Sequence, residues 1–140
     1  MTEPRLSFAT QADHAYLAAH DGHVTPDTLM QKIARGEIIM LYDDAGARPI
    51  GWLRFGYFWD ELPFMNLIYI EDAFRRQGLG THLITFWEEA MRRKNYACVL
   101  TSSLANEQAQ HLYRRLGYVD CGALLLPGEP LEIIFRKSLQ

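Results

Sequence analysis

The chain has 140 residues, enough for one domain that buries roughly two-thirds of its unfolded surface without disulfides or metals. Hydrophobic residues make up 49% and charged residues 22%, an ordinary globular mix that excludes a disordered chain. Net charge is −3, so the chain lacks the overall basic field with which nucleic-acid binders displace counterions. No apolar run approaches the roughly 18 residues needed to span a bilayer. The first residues show no basic stretch followed by an apolar one, so a secretory signal is not expected and the cytoplasm is the expected location.

The elements follow in order. Pro4–Ala9 reads as a short first strand. Thr10 is a candidate N-cap with Asp13 three residues on, and a helix through Ala15, Tyr16 and Ala19 stops by Gly22. Thr25-Pro26 opens a second helix whose apolar face carries Leu29, Met30 and Ile33, and Gly36 ends it. Ile38–Tyr42 and Ile50–Trp59 read as strands joined by a turn over residues 43–49. The turn Asp60-Glu61-Leu62-Pro63 leads to a fourth strand, Phe64–Ile70, so strands two to four form an antiparallel meander.

Gly78–Lys94 is a helix, with Leu79, Leu83, Phe86, Trp87, Ala90 and Met91 at helical spacing. Tyr96–Thr101 is a fifth strand, Asn106–Leu116 a helix closed by Gly117, and Tyr118–Ala123 and Leu131–Lys137 the last two strands. The order is β α α β β β α β α β β. The crossover from Phe64 to Thr101 requires strands four and five to be parallel. The expected fold is a mixed α/β domain over residues 1–140, with helices on the faces of a mixed sheet.

The sharpest local feature is Arg75-Arg76-Gln77-Gly78-Leu79-Gly80-Thr81, after a strand and at the start of a long amphipathic helix. Two glycines let backbone N–H groups approach a ligand, the first helical turn leaves donors free, and its dipole favours an anion. This prescribes a phosphate or pyrophosphate site; the bland alternative is a helix start with glycines for tight packing. The P-loop pattern fails for want of a Lys after Gly80, and the dinucleotide fingerprint for want of a third glycine.

Arg75-x-x-Gly78-x-Gly80 resembles the pyrophosphate loop of the GCN5-related N-acetyltransferase (GNAT) family. The segment Asn106-x-x-Ala109-x-x-Leu112-Tyr113-x-x-x-Gly117-Tyr118 resembles that family's helix, and Leu67–Asp72 its fourth strand, with Asp72 where a proline is common. The element order matches as well, so the resemblance covers essentially the whole chain. It implies a GNAT fold with a central, mostly antiparallel sheet of about seven strands and four helices, β4 and β5 splaying around the cofactor.

It also implies acetyl-CoA as donor and a primary amine, of a small molecule or a protein N-terminus, as acceptor. By position, backbone groups around Ile68, Tyr69 and Ile70 would hold the pantetheine arm, and those of the loop Arg75, Arg76, Gln77, Gly78, Leu79, Gly80 and Thr81 the pyrophosphate. Asn106 would contact the pantetheine near the thiol, and Tyr113 would be the general acid that protonates the departing thiolate. Tyr113 shares a helix face with Ala109, Leu112 and Leu116, at the edge where a phenol keeps its O–H wet; alone it would read as a core tyrosine.

The attacking amine must lose a proton, and Glu71, Asp60, Glu61 or ordered water could take it. One family subgroup, which modifies the N-terminal alanine of a ribosomal protein, places a glutamate on the fifth strand; the matching residue here is Thr101, which cannot be that base. His111 lies about 200° around its helix from Tyr113 and should face solvent. His14, His20 and His23 lack partners to complete a zinc set, so no metal is expected. Phe55, Tyr57, Phe58, Trp59 and Phe64 flank the turn before the fourth strand and could form an aromatic lip. Cys98 and Cys121 lie in apolar stretches and read as buried thiols. A non-catalytic acyl-CoA-binding or sensing module on the same fold is the alternative function, distinguished by Tyr113, since a pure binder needs no acid. An acceptor of nucleic-acid character is disfavoured by the acidic balance, and a homodimer is left open.

Overall fold

A computed structural model describes residues 4–43, 45 and 48–140. Residues 1–3, which bear on the expected lack of a leader, and residues 44, 46 and 47 of the expected turn lie outside the described residues. The strands form a seven-stranded sheet in the order β1-β2-β3-β4-β5-β7-β6. The chain divides into two compact units, residues 1–55 with 67–87 and residues 56–66 with 88–140.

The first unit opens with β1 (Arg5–Phe8), α1 (His14–His20) and α2 (Pro26–Ala34). The Asp13 carboxylate accepts the Thr10 N–H at 2.8 Å, closing the single 3-10 turn that leads into α1. Thr25 caps α2 by accepting from Thr28 N–H, with Pro26 in the first turn. Strand β2 (Ile38–Tyr42) is buried along its whole length, which is why its sequence is a continuous apolar run and does not alternate. It pairs antiparallel with β1, Phe8 opposite Ile39, and with β3 (Pro49–Phe58), Ile39 opposite Leu53. Leu17 and Leu29 of the helices pack in one cluster with Met40, Tyr42 and Trp52, and Asp21 and Arg54 form a buried ion pair at 2.8 Å. Phe8 and Phe55 meet Phe86 and Trp87 of α3 (Leu79–Arg93). The last residues of β4 (Leu62–Ile70) also belong here. A side chain at Gly51 would place its Cβ 2.5 Å from the Tyr69 carbonyl oxygen, so only glycine lets β3 and β4 approach there.

The second unit holds the start of β4, then β5 (Cys98–Leu104), α4 (Ala109–Arg115), β6 (Val119–Leu124) and β7 (Glu132–Ser138). Strands β4 and β5 run parallel, Phe64 opposite Leu100 and Met65 opposite Thr101, as the crossover requires. Strand β7 inserts antiparallel beside β5, Thr101 opposite Phe135, and carries β6 on its other side. The buried Glu88 carboxylate accepts from Tyr118 O–H at 2.7 Å and Lys137 Nζ at 3.0 Å, so its charge is compensated.

Several expected boundaries move. The fifth strand spans Cys98–Leu104, because ladder bonds to β7 carry it past Thr101. The third strand ends at Phe58, and Trp59 and Asp60 take positive φ in a two-residue hairpin turn. The helix expected from Asn106 begins at Ala109, and Asn106 sits in the preceding turn. Cys98 is buried as expected, but Cys121 is exposed on β6, an edge strand whose six residues all face solvent.

Candidate active site

In the first unit, β4 ends in Ile68, Tyr69 and Ile70, all only half-buried although the strand is fourth of seven. Tyr69 packs on Trp52 with ring centroids 4.9 Å apart. The loop that follows is braced by its own arginine. Arg75 Nε donates to Ile70 O at 2.7 Å, its guanidinium pairs with Asp72 at 2.7 Å and lies over the Tyr69 ring. Arg75 thus shapes the loop from within, whereas Arg76 makes no ion pair among the described residues and is exposed.

Arg76 takes φ 64° and Gly78 φ 78°, and a Cβ built on Gly78 would meet nothing within 4 Å. A non-glycine residue in the left-handed region marks a loop held in a costly conformation. The space over Gly78 leaves its backbone open to a ligand. α3 begins at once, so the N–H groups of Leu79, Gly80 and Thr81 have no intrahelical acceptor, while His82 N–H reaches Gly78 O at 3.3 Å. Donors and helix dipole favour an anion at this corner.

Glu71, named above among the candidate bases, is tied down. Its carboxylate accepts from Tyr16 O–H at 2.8 Å and from Arg48 at 3.1 and 3.2 Å. Burial alone would raise its proton affinity, but the Tyr16 hydroxyl and Arg48 outweigh it and hold the carboxyl below its ordinary value, the wrong direction for a base. Burial and that carboxylate push the Tyr16 phenol well up, and His20 stacks on its ring at 4.1 Å.

In the second unit, Asp60 and Glu61 are exposed at the hairpin tip. Of the expected aromatic lip, Phe58, Trp59 and Phe64 do cluster here, Trp59 with 73% of its surface exposed, whereas Phe55 is core.

The Tyr113 ring lies in the core rather than at the edge of its helix face. It is 4% exposed on α4, because Phe135 of β7 closes over it edge-on at 5.8 Å and Tyr118 lies 6.0 Å away. Burial pushes its phenol up to about 12; the Thr101 hydroxyl opposes this, and the charges of Glu107 and Glu132 add to it. Thr101 Oγ1 itself donates to Met65 O at 3.1 Å. Asn106 is exposed in a turn fastened by Gln110, whose side-chain amide donates to Ala105 O and Glu107 O. His111 faces solvent. Thr101 was legible only as a position where a base is missing; its contacts arise from pairing with strands distant in sequence. Among the described residues no three His, Cys, Asp or Glu side chains group to hold a metal, and no helix is long and apolar enough to cross a membrane.

Residues 5–118 match the model of the acetyltransferase (GNAT) family. Probable N-acetyltransferase 14 of Xenopus tropicalis is 33% identical over 67 residues, which cover 47% of this chain and 32% of that protein. The matched segment thus spans about a third of that relative's length. Among solved structures, Ard1 of Thermoplasma volcanium superposes with a TM-score of 0.82 at 15% identity, covering 98% of both chains. The ribosomal-protein-S18-alanine N-acetyltransferase of Escherichia coli gives 0.79 at 17%, covering 99% of this chain and 95% of that one. The protein yncA of Salmonella typhimurium, solved with its cofactor acetyl-CoA, gives 0.76 at 18%, covering 98% of this chain and 94% of that one. At these identities the likeness is one of fold, a seven-stranded mixed sheet with parallel β4 and β5. With the family match extending over most of its length, the chain belongs to the acetyltransferase (GNAT) family.

Proposed function

We propose that this protein is an N-acetyltransferase that takes the acetyl group from acetyl-CoA and passes it directly to a primary amine of a small molecule or a protein N-terminus. The observation that carries the reading is the loop at residues 75–81, with its open glycine, its left-handed Arg76 and the free donors of α3. In this reading the N–H groups from Arg76 to Thr81 hold the pyrophosphate, the Arg76 side chain adds charge, and Arg75 keeps the loop in shape. Backbone groups of Ile68, Tyr69 and Ile70 hydrogen-bond the pantetheine arm; the Ile70 carbonyl already accepts from Arg75 and keeps one lone pair free. Asn106 contacts the pantetheine near the thiol end.

The amine attacks the thioester carbonyl, and N–H groups of β4 stabilise the oxyanion. Tyr113 gives its proton to the departing sulfur. With Glu71 occupied by Tyr16 and Arg48, the surplus proton on nitrogen passes to water, from which the amine is also drawn in its neutral form.

The test is calorimetric titration with acetyl-CoA, followed by a screen of amines for release of free thiol. The parent protein should bind acetyl-CoA, and Gly78→Val should weaken binding by on the order of 10-fold, because at least one charge-assisted contact to the backbone is lost. Equal affinity in a folded Gly78→Val protein would remove the loop from the site. Tight binding with no thiol released for any amine would favour the sensing alternative.

A further inference from the structure

Thr101 is a polar side chain in an apolar place. It is 1% exposed on β5, next to Val99 and Leu100, both buried. A buried hydroxyl is tolerated when it is hydrogen-bonded, and Thr101 Oγ1 meets that need by donating to Met65 O at 3.1 Å. That bond uses its one proton and leaves its oxygen lone pairs. Thr101 stands opposite Phe135 in the β5–β7 ladder, and the Tyr113 ring packs edge-on against that same Phe135 at 5.8 Å. Thr101 and Tyr113 thus pack on the same residue, Phe135.

Tyr113 needs help there. Burial holds its proton tightly, and the carboxylates of Glu107 and Glu132 oppose a negative phenolate. Arg114 lies over the Phe135 ring at 5.2 Å and pairs with Asp120, while Lys137 is engaged by Glu88. Tyr118 donates its own proton to Glu88 and offers none. Of these neighbours, the Thr101 hydroxyl is the one that favours the phenolate.

We propose that Thr101 is a positioning residue for Tyr113, its hydroxyl resting on the Met65 carbonyl and turning to donate to the Tyr113 oxygen as the phenol gives up its proton. The inference rests on the proposed role of Tyr113. As the C–S bond breaks, its electron pair goes to sulfur and sulfur takes the Tyr113 proton. The phenolate accepts the Thr101 hydrogen bond until water reprotonates it, and water takes the surplus proton from nitrogen. Thr101 returns to Met65 O. The residue matching a glutamate base elsewhere in the family would thus serve the acid here.

The test uses CoA itself as the probe and needs no acceptor. In a Cys98→Ala, Cys121→Ala background the bound cofactor carries the only thiol, and its ionisation is followed by ultraviolet thiolate absorbance, with calorimetry confirming unchanged CoA affinity. Tyr113→Phe should raise the pH of half-ionisation by about 1 to 2, the effect of losing one hydrogen bond to a charged sulfur. Thr101→Val should raise it by roughly a tenth to a third of that, since the hydroxyl strengthens the bond cooperatively. Thr101→Ser should restore the parent titration, and Thr101→Ala substitutes for the valine variant if the latter does not fold. If Tyr113→Phe titrates higher while the Thr101 variants match the parent, or if serine does not restore it, the role of Thr101 is overturned and the acid stands. If Tyr113→Phe matches the parent, the acid assignment and this inference fall together.

Discussion

Single residues separate what packs from what reacts. Tyr113 fills space between Phe135 and Tyr118, so Tyr113→Phe keeps the ring and removes only the O–H. Thermal stability and acetyl-CoA affinity should change little, while amine-dependent thiol release falls by on the order of 10²- to 10⁴-fold, the usual weight of a general acid. Undiminished turnover at saturating acetyl-CoA would place the acid elsewhere. Gly51 makes the opposite kind of prediction, one of packing alone. The Cβ of Gly51→Ala would sit 2.5 Å from a backbone oxygen that cannot rotate away, so β3 and β4 must part. Denaturant unfolding should show a loss of about 1–3 kcal/mol, the usual range for overpacking. At Gly122, where nothing lies within 4 Å, the same substitution should stay within about 0.5 kcal/mol. The helical wheel put Tyr113 on the correct face but not in the core. The residue that buries it, Phe135, comes from a strand later in the chain, and local periodicity carries no information about that partner.

Between elements, the hydrogen bond of Tyr16 joins α1 to Glu71 at the end of β4, and Arg48, just before β3, ties the same carboxylate. The folded carboxyl lies below its ordinary value of 4.5, so the unfolded chain binds the proton more readily. The contribution of Glu71 to stability is therefore complete above that pH and is lost as pH falls through the lower folded value. Urea midpoints of the parent and Glu71→Gln should differ at neutral pH and converge only in acid, once pH has fallen below the folded value. A difference independent of pH would mean that the ionised carboxylate is not what joins the two elements. Sequence spacing revealed the helices, the meander and the parallel crossover because each is written in local periodicity and in the length of the connection. It did not reveal the internal use of Arg75, which looked like a second phosphate cation and turned back on Ile70 and Asp72. Nor did it start α4 correctly. The turn that holds Asn106 is built by Gln110 reaching back to two carbonyls, a side-chain device that a propensity pattern beginning at Asn106 conceals.

At the scale of the whole molecule, the order of elements was readable but the order of strands was not. Strand β7 enters beside β5 and displaces β6 to the edge, a long-range pairing that no local signal announces. That displacement decides the fate of the two cysteines, both of which read as buried from their apolar neighbours. Cys98 on β5 is covered, with 7% of its surface exposed, while Cys121 goes with β6 to the rim. A thiol reagent added to the native protein should therefore modify one cysteine promptly and the other only as its strand opens. Partial desolvation of its sulfur by neighbouring strand atoms raises the Cys121 thiol above its ordinary value of 9.0, against the pull of Arg136, so the reactive thiolate stays scarce at neutral pH. Its labelling should accelerate continuously into the alkaline range and vanish in Cys121→Ser. Labelling of Cys98 should instead track stability, slowing when the fold is reinforced by a ligand and speeding in mild denaturant. Two thiols modified at equal rates under native conditions would contradict the placement of β7 between β5 and β6. Because neither thiol sits at a helix N-terminus or accepts a proton from a fixed cation, acetyl transfer should also survive the double replacement Cys98→Ala, Cys121→Ala, and an acetyl thioester trapped on either one during turnover would overturn direct transfer to the amine.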